Sequence, residues 1–230
     1  MSVLPTAYHG TAARYLPSIL KDGIQPRGED KSHWEYASRP DLVYMTTAYP
    51  FYFGMHTAEE DEKAVVFEIE LDYLAVARLL PDEDFVAQAI SRAKNVPLDQ
   101  IHNMVRDQLE NWQDFWQKSI EHLGNVCFKG TIPPQAITRY CLFEAWKRPH
   151  LAMRMLDPCI SIENYQFCGE GYRSIVAWMF GDRELIPTNN TEMSFPSGQD
   201  QMDTILQKQQ KFWQDESKDR TGIEVHAIIE

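Results

Sequence analysis

Long apolar runs are missing from this chain of 230 residues. None approaches the roughly 18 residues that would read as a membrane span. The opening Met1-Ser2-Val3-Leu4-Pro5 has neither the charged n-region nor the apolar h-region of a secretory leader. Membrane insertion and export are therefore not indicated, and a cytoplasmic location is expected. Cysteine is scarce as well. Cys127, Cys141, Cys159 and Cys168 show no C-x-x-C spacing, and two of them fall in predicted strands, which argues for reduced, buried thiols rather than a zinc site or a disulfide frame. Basic charge is short: the net charge of −12 opposes generic nucleic-acid binding, which needs cations to neutralise phosphates. The imbalance is local, since residues 41–125 hold 6 basic and 16 acidic side chains while the first 40 hold 5 and 4. The two locally less acidic stretches, residues 1–40 and Arg139, Lys147, Arg148, His150 and Arg154, are where RNA or DNA would dock. The acidic middle would suit a basic partner protein. The length allows one enlarged domain or one domain with an appendage.

What is present begins with Tyr8-His9-Gly10-Thr11. Residues 3–9 are short and apolar enough for a strand, Thr11 suits an N-cap, and Leu16, Ile19 and Leu20 recur at helical spacing. Gly23 stands where a left-handed C-cap would end that helix, Pro26 follows, and residues 42–46 read as a second strand. His9 would then end a buried strand with its ring held rigidly, and Gly10, lacking a Cβ, would leave its backbone open to a planar ligand. Tyr49, Phe51, Tyr52 and Phe53 suit a helix over the sheet, their rings alternating between core and surface. Residues 64–71 read as a strand with one solvated face, preceded by a solvated acidic loop at Glu59-Glu60-Asp61-Glu62.

Residues 82–123 have helical character and read as an insertion. Phe85, Ala89, Ile90 and Ala93 fit one helix, and Ile101, Val105, Leu109, Trp112, Phe115, Trp116, Ile120 and Leu123 fit a longer stripe. Such a stripe is core packing, so Trp112 and Trp116 are taken as structural. Gly124 to Ile137, with Pro133-Pro134 among them, follow, and residues 138–143 read as a further strand. Beyond Lys147 the pattern suggests a strand at 160–165, a short helix at 172–180, loops around Asn189-Asn190 and Pro196-Ser197-Gly198, a helix at 200–217 and a last strand at 223–228.

The stretch from His9 to about Leu71 resembles the N-terminal half of the ADP-ribosyltransferase superfamily. The branch is the one with a His, then a Tyr, then a variable third residue. It includes the poly(ADP-ribose) polymerases and diphtheria-type toxins and, more loosely, the tRNA 2′-phosphotransferases. The residues that carry the likeness are Tyr8-His9-Gly10-Thr11, Ile19-Leu20-Lys21-Asp22-Gly23-Ile24-Gln25-Pro26 and Val43-Tyr44-Met45-Thr46-Thr47, and residues 124–143 resemble the third motif region. The resemblance implies an α+β fold with a split antiparallel β-sheet core. Residues 1–146 would form the catalytic core with its helical insertion, and 147–230 a C-terminal extension that recognises the acceptor or a partner, or completes the sheet. It also implies NAD+ as co-substrate, with no metal. Carried over by position, His9 hydrogen-bonds the nicotinamide-side ribose, the Gly10 backbone pairs with the carboxamide and Thr11 lies near the adenosine ribose. Tyr44 stacks on the nicotinamide and Tyr52 closes its other face. These roles are chemically apt, because an electron-poor flat ring suits an aromatic face and a buried amide needs hydrogen bonds.

The third role stays open between three residues. The polymerase-like members have a glutamate where this chain has Gly124-Asn125. Asn125 is the positional match, but an amide cannot act as a general base. Glu121 has the chemistry about one helical turn early, and Glu144 suits a solvated strand end. The implied reaction displaces nicotinamide from NAD+ through an oxocarbenium-like state, with the protein fixing the cofactor and presenting a nucleophile to C1′. The leading expectation is a mono-ADP-ribosyltransferase acting on RNA, DNA or protein, as a toxin or phage-defence effector would, with an antitoxin or inhibitory protein as partner. Two other classes compete. An RNA 2′-phosphotransferase is disfavoured because Tyr8, not Arg, precedes His9 and no Arg adjoins Tyr44 in sequence. A catalytically weak NAD- or ADP-ribose-binding module is favoured by the missing glutamate.

Overall fold

The computed structural model describes residues 6–28, 38–144, 160–182 and 220–228. Its framework is one seven-stranded antiparallel sheet in the order β4-β5-β2-β1-β3-β6-β7, the α+β class expected from the sequence. The strands are β1 (Thr6–Ala12), β2 (Leu42–Thr46), β3 (Ala64–Glu70), β4 (Leu79–Pro81), β5 (Asn125–Lys129), β6 (Ile137–Phe143) and β7 (Ile223–Ala227).

β1 runs further than its apolar pattern suggests, because Thr11 and Ala12 still pair with Val65 and Ala64 of β3. Thr11 therefore sits inside a strand and caps nothing. Helix α1 (Leu16–Asp22) starts four residues later without a side-chain cap, with Pro17 in its first turn, where a missing N–H costs no hydrogen bond. It ends at Gly23, whose φ of +82° and lack of a Cβ let the Ile132 carbonyl approach to where a side chain would stand.

Side-chain alternation divides the sheet into two buried faces. One face carries Ala7, Val43, Met45, Val65, Phe67, Ile69, Val126 and Phe128, packed with Ile19 of α1 and with Trp116. The other face is covered in two parts. Helices α2 (Pro50–Thr57) and α6 (Ile162–Phe180) cover Ala64, Val66, Cys141 and Phe143. Helices α3 (Glu83–Lys94) and α4 (Asp99–Asp107) cover Leu42, Leu80 and Cys127. β3 is consequently buried on both sides rather than solvated on one. Its Glu68, 8% exposed, is neutralised by Arg139 of β6.

The 82–123 region is a helical excursion between β4 and β5, ending in α5 (Trp116–Leu123), and Trp116 is core as expected. Past residue 160 the separate strand and short helix read from the pattern are one helix, α6. Gly169 lies inside it because the Tyr165 ring occupies the space its Cβ would need. β7 then joins the sheet beside β6. The expected loops and helix at 189–217 lie outside the described residues, as do His150 and Cys159. Cys127 and Cys141 are buried and reduced.

The two sides of β1 differ. Against β3 it forms seven registered pairs, from Thr6↔Glu70 to Ala12↔Ala64, whereas against β2 it forms one, Tyr8↔Thr46. Beyond that pair the sheet opens between β1 and β2.

Candidate active site

His9 stands at this opening. Its Nδ1 lies 2.9 Å from the main-chain carbonyl of Tyr44, so Nδ1–H donates across the gap where ladder hydrogen bonds are missing. A carbonyl only accepts, which fixes the tautomer and leaves Nε2 as an acceptor. Burial lowers the affinity of the ring for a proton, against the opposing pull of that carbonyl, and so favours the neutral form. Thr11, two residues along, projects from the same face of β1.

Gly10 is required for a reason other than ligand access. A Cβ there would lie 1.8 Å from the Pro50 carbonyl oxygen and 2.7 Å from the Gly54 amide. Its bare backbone is the seat of the first turn of α2, and Pro50 and Gly54 themselves are buried there.

Tyr44 does not form a clasp with the His9 side chain. His9 is registered with Phe67, whose face also holds Val43 and Met45, whereas Tyr44 is registered with Cys127 and packs with Leu42 on the other face. The two residues meet through the Tyr44 carbonyl rather than through two rings on one surface. The Tyr44 hydroxyl accepts from the Arg39 main-chain N–H at 2.8 Å and donates to Oε1 of Glu83 at 2.6 Å. Burial and the neighbouring Glu83 hold that phenol well above its usual range.

Glu83, at the start of α3, is the residue that sequence reasoning missed. It is 4% exposed, and burial pushes its carboxyl up to about 7 despite the hydrogen bond from Tyr44, which favours the anion. Before it, Asp82 caps α3 by accepting from the Asp84 N–H at 2.8 Å, while its own N–H donates to Ser119 Oγ at 3.0 Å. Burial, then the charges of Asp84 and Glu83, raise Asp82 well above the ordinary carboxyl range, and a hydrogen bond from Asn125 partly offsets this. Asp84 in turn lies 2.8 Å from His102 Nε2. A run of three acids opening a helix reads as dipole compensation, so nothing in the sequence separates Glu83 from its neighbours.

Of the candidates for the third role, Asn125 lies in this centre. It is 4% exposed and pairs with Thr46 at the start of β5. Glu121 does not belong to it: the side chain is exposed on α5 and bonds Lys118 at 2.8 Å. Glu144 lies past the end of β6, on the far side of β1 from β2 and β5. Tyr52 is not a second wall for Tyr44 either. Its ring packs 4.3 Å from His56 and beside Phe53 in the α2–α6 core, while Tyr44 belongs to the α3–α4 side. Oε2 of Glu83 and Oδ1 of Asn125 are buried with no hydrogen-bond partner among the described residues.

Next to the Arg39–Tyr44 contact lies a cavity of about 460 Å³ lined by Arg27, Ser38, Arg39, Pro40, Arg106 and Asp107. Arg39 is bound on both edges, by Asp41 and by Glu110. Arg27 donates to the Ser38 and Gly28 carbonyls, so its charge is not cancelled by those bonds. Among the described residues, no group of three or more His, Cys, Asp or Glu is arranged to hold a metal ion. No helix there is long and apolar enough to cross a membrane.

No protein-family model matches the chain, and no curated protein matches it. Among solved structures the chain is similar to EcPltA, with a TM-score of 0.35 and 12% identity over 60% of this chain and 74% of that one. It is also similar to the nicked CARDS toxin, with a TM-score of 0.35 and 13% identity over 61% of this chain and 26% of that one.

Proposed function

We propose that the chain is a mono-ADP-ribosyltransferase that uses NAD+ to modify a macromolecular acceptor, either nucleic acid or protein. The observation that carries this reading is the His9 ring, held neutral by burial and tied by Nδ1 to the Tyr44 carbonyl at the opening between β1 and β2. Its Nε2 is thereby aimed as an acceptor for a ribose hydroxyl. A gap between strands, unlike a sheet face, can be lined from both sides, so a dinucleotide threaded there meets His9 and Thr11 from β1 and the Tyr44 region from β2. Asn125 offers its amide to a further ribose hydroxyl. With the cofactor held, nicotinamide leaves C1′ with the bonding pair and departs neutral, and the acceptor attacks the resulting oxocarbenium-like carbon.

Incubating the protein with adenine-labelled NAD+ and cell lysate tests this. Label should move to RNA, DNA or protein as nicotinamide is released. His9→Ala should lower transfer by about 100-fold or more, the scale of losing a group that positions reactants. A wild-type protein that leaves NAD+ intact in the presence of lysate refutes the reading. The RNA 2′-phosphotransferase alternative gains one observation, the arginine-lined cavity beside Tyr44, because guanidinium groups suit phosphate. Loss of a 2′-phosphate from RNA without labelled product would favour it.

A further inference from the structure

We propose that the outer edge of β7 pairs antiparallel with the same edge of a second copy of this chain, in a register centred on Val225. The two ends of the sheet are finished differently. At the β4 end the edge strand has three residues, closes on Pro81 and is packed against Leu109–Phe115, all of which stop another strand from adding. β7 has five residues, lacks proline and is exposed at its last four. Among the described residues no strand pairs with its outer side.

The bonding of β7 to β6 decides which peptide groups face outward. The Ile228 N–H donates to the Thr138 carbonyl at 2.9 Å, so residues 228, 226 and 224 turn their peptide groups towards β6. Val225 and Ala227 turn theirs away from it, while the Ile223 N–H is taken by the Arg220 carbonyl at 3.1 Å. An antiparallel partner must set outward groups against outward groups, so the allowed registers differ by two residues. Centred on Val225, two copies exchange both N–H···O bonds of that residue across a two-fold axis. Ile223 then stands opposite Ala227 of the second copy on one face, and Glu224 stands opposite its His226 on the other. An imidazole donates to a carboxylate whether it is neutral or protonated. Sliding by two residues would set Glu224 against Glu224 in one direction and His226 against His226 in the other, so the charge pattern selects the centred register. β6 and β3 separate β7 from β1, which keeps this contact distinct from the opening between β1 and β2.

Sedimentation of the full chain across the micromolar range tests the pairing, with amide hydrogen exchange as a second measurement. The average mass should rise from that of one chain towards that of two. The Val225 and Ala227 amides should gain protection with concentration, whereas those of Glu224 and His226, already bonded to β6, should not change. Val225→Pro removes the N–H that both central bonds require without breaking one to β6, and should abolish dimerisation. His226→Glu sets carboxylate against carboxylate at two points and should weaken association about tenfold. Glu224→Lys should weaken it as well. Mixed in equal amounts, the two charge variants should recover wild-type association, because the introduced lysine meets the introduced glutamate and the remaining Glu224 meets the remaining His226. A chain that stays monomeric, with its Val225 amide exchanging freely, overturns the proposal and leaves the edge to an extended segment of another protein. So does a dimer that Val225→Pro leaves intact, or a mixture that associates no better than its two components.

Discussion

Two buried glutamates lie on the same sheet-and-helix framework and are treated in opposite ways. Glu68, in the middle of β3, has both oxygens engaged: Arg139 donates to each, at 2.7 and 2.6 Å, and Thr138 donates at 2.7 Å. Arg139 is held in turn by Asp182 at the end of α6, so this carboxylate belongs to a closed network joining β3, β6 and α6. Glu83 is as deeply buried, yet its side-chain donor is the neutral Tyr44 hydroxyl, and among the described residues no Lys or Arg forms an ion pair with it. A closed network fixes a charge and keeps it; an open one leaves the protonation state free to change. The first arrangement joins elements, and the second makes stability depend on pH near neutrality.

The contrast can be broken from the Glu68 side with the largest effect. Arg139→Ala leaves Glu68 buried without its cation, and urea denaturation should show a loss of about 3 kcal/mol, the usual cost of stripping one partner from a buried pair. The Glu83 side should instead show itself as pH dependence. Its folded value of about 7 lies above the ordinary 4.5, so the folded protein holds this proton more tightly than the unfolded chain does. That contribution is full below pH 4.5 and is lost as pH rises through 7. Glu83→Gln should remove this fall, on the order of 2 kcal/mol between wild-type denaturation at pH 5 and at pH 8. Tyr44→Phe deletes the hydroxyl between Arg39 and Glu83 and should cost about 1 kcal/mol. Because it removes a hydrogen bond that favours the anion, it should also move the fall in stability to higher pH. The smallest effect belongs to Glu121→Gln, on the surface of α5, which should leave both the denaturation midpoint and NAD+ turnover unchanged.

Much of the framework was legible because its signals are local. The strand at Leu42–Thr46 matches its pattern residue for residue, and the helices after Pro81 follow from apolar spacing. Errors arose where tertiary contacts outweigh local preference. Thr11 looks like a cap but is held in β1 by Val65, and α6 runs through Gly169 because Tyr165 fills the glycine's empty side. β4, with three residues, is too short to carry a period. At the site, the adjacency of His9 and Tyr44 was readable from two motifs, but the faces their side chains take depend on register, which only the paired strands reveal. Glu83 gave no warning, since its environment is assembled by β2, β5 and α4, all distant in sequence.

The lopsided bonding of β1 has a consequence for how the sheet breathes. Amides locked into the seven-pair ladder with β3 should exchange with deuterium only when the whole domain opens, whereas those facing β2 can exchange through separation of the strands alone. The molecule thus carries a thinly paired seam along one edge of β1 and a seven-pair ladder along the other. Anything that lodges in that seam would slow exchange on one edge of β1 and leave the other untouched.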